Sequence, residues 1–248
     1  MKRAGWVLLV ALSACPPPKV PPPEPLAGLA PEAALAAADA AFAQRPNDAQ
    51  VREAFKLYRS AAVERVEGSI GVVRTAAWLV EHGAKDDRKT LVRAAVEAGA
   101  QCQQRAVAPG PCDYWQAVAL GLEAREQPLT ALGALPRIIE LLKKADAATP
   151  DLDDAGPARV LALLLARAPG WPTGPGNPDD ALASAQKALE HAPKHPLNEL
   201  ALGECLAATG DTAGAKAAYE RAAALASARG DADGAEWAAQ AQRAFERL

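Results

Sequence analysis

Aromatic residues are scarce in this sequence: five Trp, three Tyr and three Phe make up 4% of 248 residues. A core of large interlocking rings is therefore excluded, although half of the residues are hydrophobic. Much of that apolar content is alanine, the best helix former and small enough to let helices pack closely. Sustained alternation of Val, Ile or Thr is missing, so no sheet is predicted. No apolar run reaches the ~20 residues that span a bilayer core. An excess of basic charge is missing too: 27 Lys and Arg stand against 30 Asp and Glu, a net charge of −3. That balance argues against a nucleic-acid partner, which needs a basic face. No nucleophile has a credible base beside it in the pattern. No catalytic residue, enzyme activity or cofactor is expected.

What is present begins with an export signal. Lys2 and Arg3 precede the apolar run Gly5 to Leu12, and the small residues Ser13 and Ala14 follow. Leu12-Ser13-Ala14-Cys15 resembles the bacterial lipobox, which implies cleavage before Cys15 and acylation of its thiol. Loss of Lys2 and Arg3 with residues 1–14 would leave 25 basic against 30 acidic residues, a charge of −5. Residues 15–31 are then an acylated, Pro-rich linker. Pro16 to Pro25 suits an extended tether holding the folded part about 30 Å from the bilayer. Pro16, rather than Asp, follows the lipid site, which favours the outer membrane, facing the periplasm. Residues 32–248 form the folded domain.

Within that domain the informative feature is a helical repeat. Gly203, Leu206, Gly210, Ala215, Tyr219 and Ala222 fall at offsets 0, 3, 7, 12, 16 and 19. These are the small and large packing positions of a tetratricopeptide repeat. Gly210 would stop one helix and Asp211 cap the next. Ala181, Ala185, Ala188, Leu189 and Pro193 read as the preceding second helix, and Ala181 lies 34 residues before Ala215. Ala145 with Pro150, and Ala34 and Ala41 with Pro46, read as earlier helix ends. Gly230-Asp231 opens a last, capping helix. The prediction is an all-α, tetratricopeptide-like solenoid of roughly four imperfect helix pairs on its lipid tether, with longer helices between Val51 and Gln104. Such stacks present a concave surface, commonly to a protein. Their Ala-rich flanks also suit self-association into a homo-oligomer.

Cys102 and Cys112 flank the loop Pro109-Gly110-Pro111; in an oxidising compartment they form either a disulfide or two separate thiols. Cys205 reads as a core residue. His191 and His195 have the i, i+4 spacing of metal ligands. Pro193 interrupts them and no third ligand is evident, so no metal is expected. The acidic run Asp151 to Asp154 lacks the glycine turn and terminal Glu of a calcium loop.

From Tyr114 onward the sequence resembles one family, the T component associated with tripartite ATP-independent periplasmic (TRAP) transporters. Four segments carry the resemblance. They are Tyr114-Trp115-Gln116-Ala117-Val118-Ala119-Leu120-Gly121, Ala134 to Glu140, Gly156 to Leu161 after the acidic loop, and Ala168-Pro169-Gly170-Trp171-Pro172 running on to Pro178. They span nearly half the chain. Ala119 stands where the family often has Asn, so no ligand contact is carried over there. The resemblance implies a periplasmic lipoprotein that docks a solute-binding protein of such a transporter and aids uptake of a small solute. The alternative is a general envelope scaffold for outer-membrane or secretion-machine assembly. Four residues are singled out for binding. Of Tyr114 and Trp115, one would fill the repeat's large slot and the other face a cavity. Arg159 would bind a carboxylate or close an intramolecular ion pair. Trp171 would either contact ligand or partner, or pin its Pro/Gly-rich loop to the helices.

Overall fold

A computed structural model describes residues 29–248. The export signal, Cys15 and the Pro-rich stretch to Pro25 lie outside the described residues. Among the described residues eleven α-helices follow one another: α1 Pro31–Phe42, α2 Asp48–Ala61, α3 Val66–His82, α4 Arg88–Arg105, α5 Pro111–Glu126 and α6 Pro128–Ala148. They continue as α7 Gly156–Arg167, α8 Pro178–His191, α9 Pro196–Ala208, α10 Thr212–Arg229 and α11 Ala232–Glu246. No strand occurs among the described residues. None of the helices is long and apolar enough to cross a membrane.

Helix boundaries follow local chemistry. Proline sits in the first turn of α1, α5, α6, α7, α8 and α9, where its missing N–H costs nothing. Asn47, Asn177, Asp211 and Asp231 accept hydrogen bonds from backbone N–H groups of the helices they open. Gly210 takes φ +85° and Gly230 φ +69°, left-handed values that free glycine of a Cβ clash. The tetratricopeptide spacing has its physical counterpart here. The Tyr219 ring on α10 lies directly over Gly203 on α9, where any Cβ would collide with it.

Antiparallel neighbours pack throughout, α1 on α2, α3 on α4, α5 on α6, α7 on α8 and α9 on α10. The stack is thus five pairs plus α11, not four. Between Val51 and Gln104 lie two of the longer helices, α3 with 17 residues and α4 with 18, although α6 has 21 and α10 18. The break between α2 and α3 was illegible because Ala62 to Arg65 contains no Gly, Pro or Asn. It is set by tertiary contacts. Gly68 packs against the Ala61–Ala62 backbone, and Arg105 donates to the Ala62 carbonyl at 2.6 Å. The Ala34, Ala41 and Pro46 pattern lies on α1, the first helix of its pair, rather than on a second helix. One continuous apolar core runs from α1 to α9, and a smaller, mostly alanine cluster joins α9 to α11.

Candidate functional site

The odd-numbered helices, together with Arg229 at the end of α10, line a wide-mouthed cavity of about 450 Å³. Its lining draws on α1, α3, α5, α7, α9 and α11, so distant parts of the chain meet there.

The cavity floor is the turn between α6 and α7. Asp153, Asp154 and Ala155 have φ of 53°, 51° and 63°, a left-handed run that is costly for residues with a Cβ. Arg159, one turn into α7, holds it. Its Nη1 donates to the Asp154 carbonyl and to Asn198 Oδ1, both at 2.9 Å. Its Nη2 donates to the Asp153 carbonyl and carboxylate, both at 3.0 Å. Asn198 is fully buried; its amide donates to the Asp154, Ala188 and Ala192 carbonyls. The Tyr114 hydroxyl donates to Asp153 Oδ2 at 2.6 Å. Burial, and then the Asp153 charge, raise the Tyr114 hydroxyl well above its usual pKa, which keeps it a donor. Tyr114 closes over Gly156, where a Cβ would lie 2.7 Å from the ring.

Trp115 meets Tyr114 edge-on at 4.8 Å and lines the cavity. Across from it, α11 reaches the N-terminal helices through side chains. Arg45, just after α1, pairs with Asp233 at 2.8 Å. His82 on α3 pairs with Glu236 at 2.8 Å and stacks on Trp78 with centroids 4.4 Å apart. Trp237 takes the Arg229 guanidinium over its ring at 4.8 Å and the His195 ring at 5.2 Å. The first and last described helices therefore close the curve around the cavity. The two imidazoles are tuned in opposite senses. Burial pushes His82 down, but hydrogen bonds to Glu236 and the Trp78 carbonyl outweigh it, and its pKa rises. His195 is lowered by burial, then by Arg159.

Of the two readings of Arg159, the structure shows the intramolecular ion pair, with Asp153 at 3.0 Å, and both of its terminal nitrogens serve the strained turn rather than a ligand carboxylate. The expectation for Trp171 needs correction. Trp171 does not pin its loop: the ring is 90% exposed and does not line the cavity. The loop is held by its backbone instead, Gly176 N–H to the Pro169 carbonyl at 2.8 Å and Asn177 N–H to the Leu165 carbonyl at 3.1 Å. Cys102 and Cys112 are bonded to each other, with Cα atoms 5.3 Å apart, tying the end of α4 to the start of α5. Cys205 is buried, and burial raises its thiol to about 12. His191 pairs with Asp151 and His195 with Asp154, rather than with each other. Ala119 is wholly buried in the core. Sequence reasoning missed Arg45, Arg74, Trp78, His82, Asn198, Asp233, Glu236 and Trp237. Only the order of the repeats, which brings α11 back towards α1 and α3, could have signalled them.

No protein-family model and no curated protein matches the chain. Among solved structures, it is similar to the crystal structure of a thermophilic tetratricopeptide-repeat protein of Thermus thermophilus, with a TM-score of 0.64 and 22% identity. The alignment covers 86% of this chain and 99% of that one. At such identity the likeness carries the fold alone. The chain is an all-α, tetratricopeptide-like solenoid.

Proposed function

We propose that this protein is the T component of a TRAP transporter. In this reading it is a lipoprotein acylated on Cys15 and anchored in the outer membrane, facing the periplasm. It docks the transporter's solute-binding protein and holds a small solute in the central cavity during transfer. It works by binding rather than by catalysis. One observation carries the reading. Two of the four segments that carry the resemblance, the Tyr114-Trp115 helix and the Arg159 helix, meet at the acidic turn through the hydrogen bonds of Asp153. A generic scaffold has no need of a buried polar cluster beneath an aromatic-lined cavity. The exposed Trp171 ring, on the Pro/Gly-rich loop of another of these segments, is the docking contact.

The test is capture of the tagged, acylated protein from detergent-solubilised envelopes, with mass spectrometry of what accompanies it. Enrichment of a periplasmic solute-binding protein, lost in Trp171→Ala while the variant's melting temperature is kept, supports the reading. Enrichment of envelope-assembly components alone would replace it with the scaffold function. Release of a Cys15→Ser variant into the soluble fraction is expected; retention in the membrane would count against the anchor.

A further inference from the structure

A second cavity, an apolar groove of about 460 Å³, opens between the first turns of α3 and the loop that joins α4 to α5. Val66 and Ile70 line it from α3, and Ala106, Val107, Ala108 and Pro111 from the loop and the start of α5. Val107 is fully exposed. The loop is fixed at both sides. The Cys102–Cys112 bond ties its ends together, and Arg105 donates to the Ala62 carbonyl at 2.6 Å, which joins it to the turn before α3. An apolar groove held open in this way gains from being covered.

The start of the described chain lies beside it. Glu32, in the first turn of α1, pairs with Arg65 at 2.6 Å, and Arg65 lines the groove. Residues 1–28 therefore join the fold at the groove's edge, through Leu29. From Glu24 to Glu32 an extended chain reaches about 25 Å. That exceeds two helix spacings of about 8–10 Å, and two spacings lead from α1 past α3 to α5. The charges match as well. Arg65 is answered by Glu32 and Glu67. Arg105, also on the rim, spends one nitrogen on the Ala62 carbonyl, and among the described residues no carboxylate lies within ion-pair distance of it. Glu64, the lining group of opposite sign, is exposed to water. Between Val20 and Pro31 the one charged residue is Glu24.

We infer that Pro22 to Ala27 of this chain's own linker occupy the groove, with Leu26 against its apolar lining and the Glu24 carboxylate on Arg105. A proline-rich stretch has few shapes to give up when it docks. A segment covalently joined to its site also acts at a high effective concentration, so few contacts suffice. In a protein acylated on Cys15, residues 16–21 alone then separate lipid from fold, about 20 Å of extended chain, and the α2–α3 and α4–α5 turns face the bilayer. The docking itself does not depend on the transporter reading.

The test is nuclear magnetic resonance of the isotope-labelled full chain carrying Cys15→Ser and Val20→Cys, with a nitroxide on residue 20. Cys205 is buried and Cys102 and Cys112 are bonded, so the nitroxide goes to residue 20. A docked linker brings it to the groove. The amide signals of Val66, Ile70, Ala106, Val107 and Ala108 should be lost while those of α8 persist. Leu26→Asp and Glu24→Arg alter the linker and leave the folded residues untouched. Leu26→Asp should restore the signals in full and Glu24→Arg in part. Groove signals that stay sharp in the parent protein, or a loss that survives Leu26→Asp, would overturn the inference. So would the same loss in isotope-labelled chains without nitroxide mixed with nitroxide-bearing unlabelled chains, which would put a second copy in the groove. Groove signals that change only when phosphatidylglycerol vesicles are added would assign it to the bilayer instead.

Discussion

Arg45 grips Asp233 from 188 residues away in sequence, Nε to Oδ1 at 3.3 Å and Nη2 to Oδ2 at 2.8 Å. The fork-to-fork geometry and the half-buried setting, 23% side-chain exposure on each partner, make this pair the clasp between the two ends of the solenoid. A double-mutant cycle with Arg45→Ala and Asp233→Ala should give a coupling of about 0.5–1 kcal/mol in denaturant unfolding. Amide exchange in α11 should quicken in either single variant. Strict additivity of the two substitutions would show that the ends hold together without this pair.

Arg159 is expected to behave as a structural residue. Arg159→Met strands Asn198 Oδ1 and the Asp153 carbonyl, and leaves the Asp154 carbonyl and the Asp153 carboxylate with one donor each, Asn198 and Tyr114, around a left-handed turn. The loss should be about 3–5 kcal/mol, as for other broken buried charge networks. Asn198→Ala should lose about 1–3 kcal/mol. Urea unfolding measures both. A cost under about 1 kcal/mol for Arg159→Met would mean that the turn is held by other contacts.

The two cavity histidines predict opposite pH effects. His82 has a raised folded pKa, so the stability it contributes is fully present below its unfolded value, about 6.5. It is lost as pH rises through the folded value. His195 has a lowered folded pKa, so stability is lost as pH falls from the unfolded value through the folded one. Unfolding free energies at pH 5 and pH 8 separate them. His82→Gln should cost more at pH 5 than at pH 8, whereas His195→Gln should relieve part of the acid destabilisation. Identical pH slopes in wild type and both variants would refute the assignment.

The Cys102–Cys112 bond closes a loop of sequence separation 10. Loop-closure entropy gives it about 2–3 kcal/mol of stabilisation. Cys102→Ser with Cys112→Ser, or reduction of the wild type, should lower the unfolding midpoint accordingly. The loss should appear first as faster exchange at the end of α4. Equal midpoints before and after reduction would show that helix packing alone holds this junction.

Helical class, the Pro- and Asp-marked starts of α8 to α11 and the Gly203–Tyr219 packing were legible in the sequence, because each rests on neighbours within about one repeat. The alanine periodicity of α8, buried at Ala181, Ala185 and Ala188, was legible for the same reason: a helix returns the same face every 3.6 residues. The α2–α3 break was not, since it depends on Gly68 meeting a neighbouring backbone and on Arg105 arriving from α4. Nor was the cavity. Small rotations between successive helix pairs add up until α11 faces α1 and α3, and only that sum brings Asp233 to Arg45 and Glu236 to His82. The role of Arg159 was decided there too: it looks available in sequence but is saturated by a turn whose left-handed shape no local motif announces. Trp171 follows the same logic in reverse: an aromatic in a stiff loop is buried only if a neighbour lies against it, and the backbone of its loop carries the ring out into solvent.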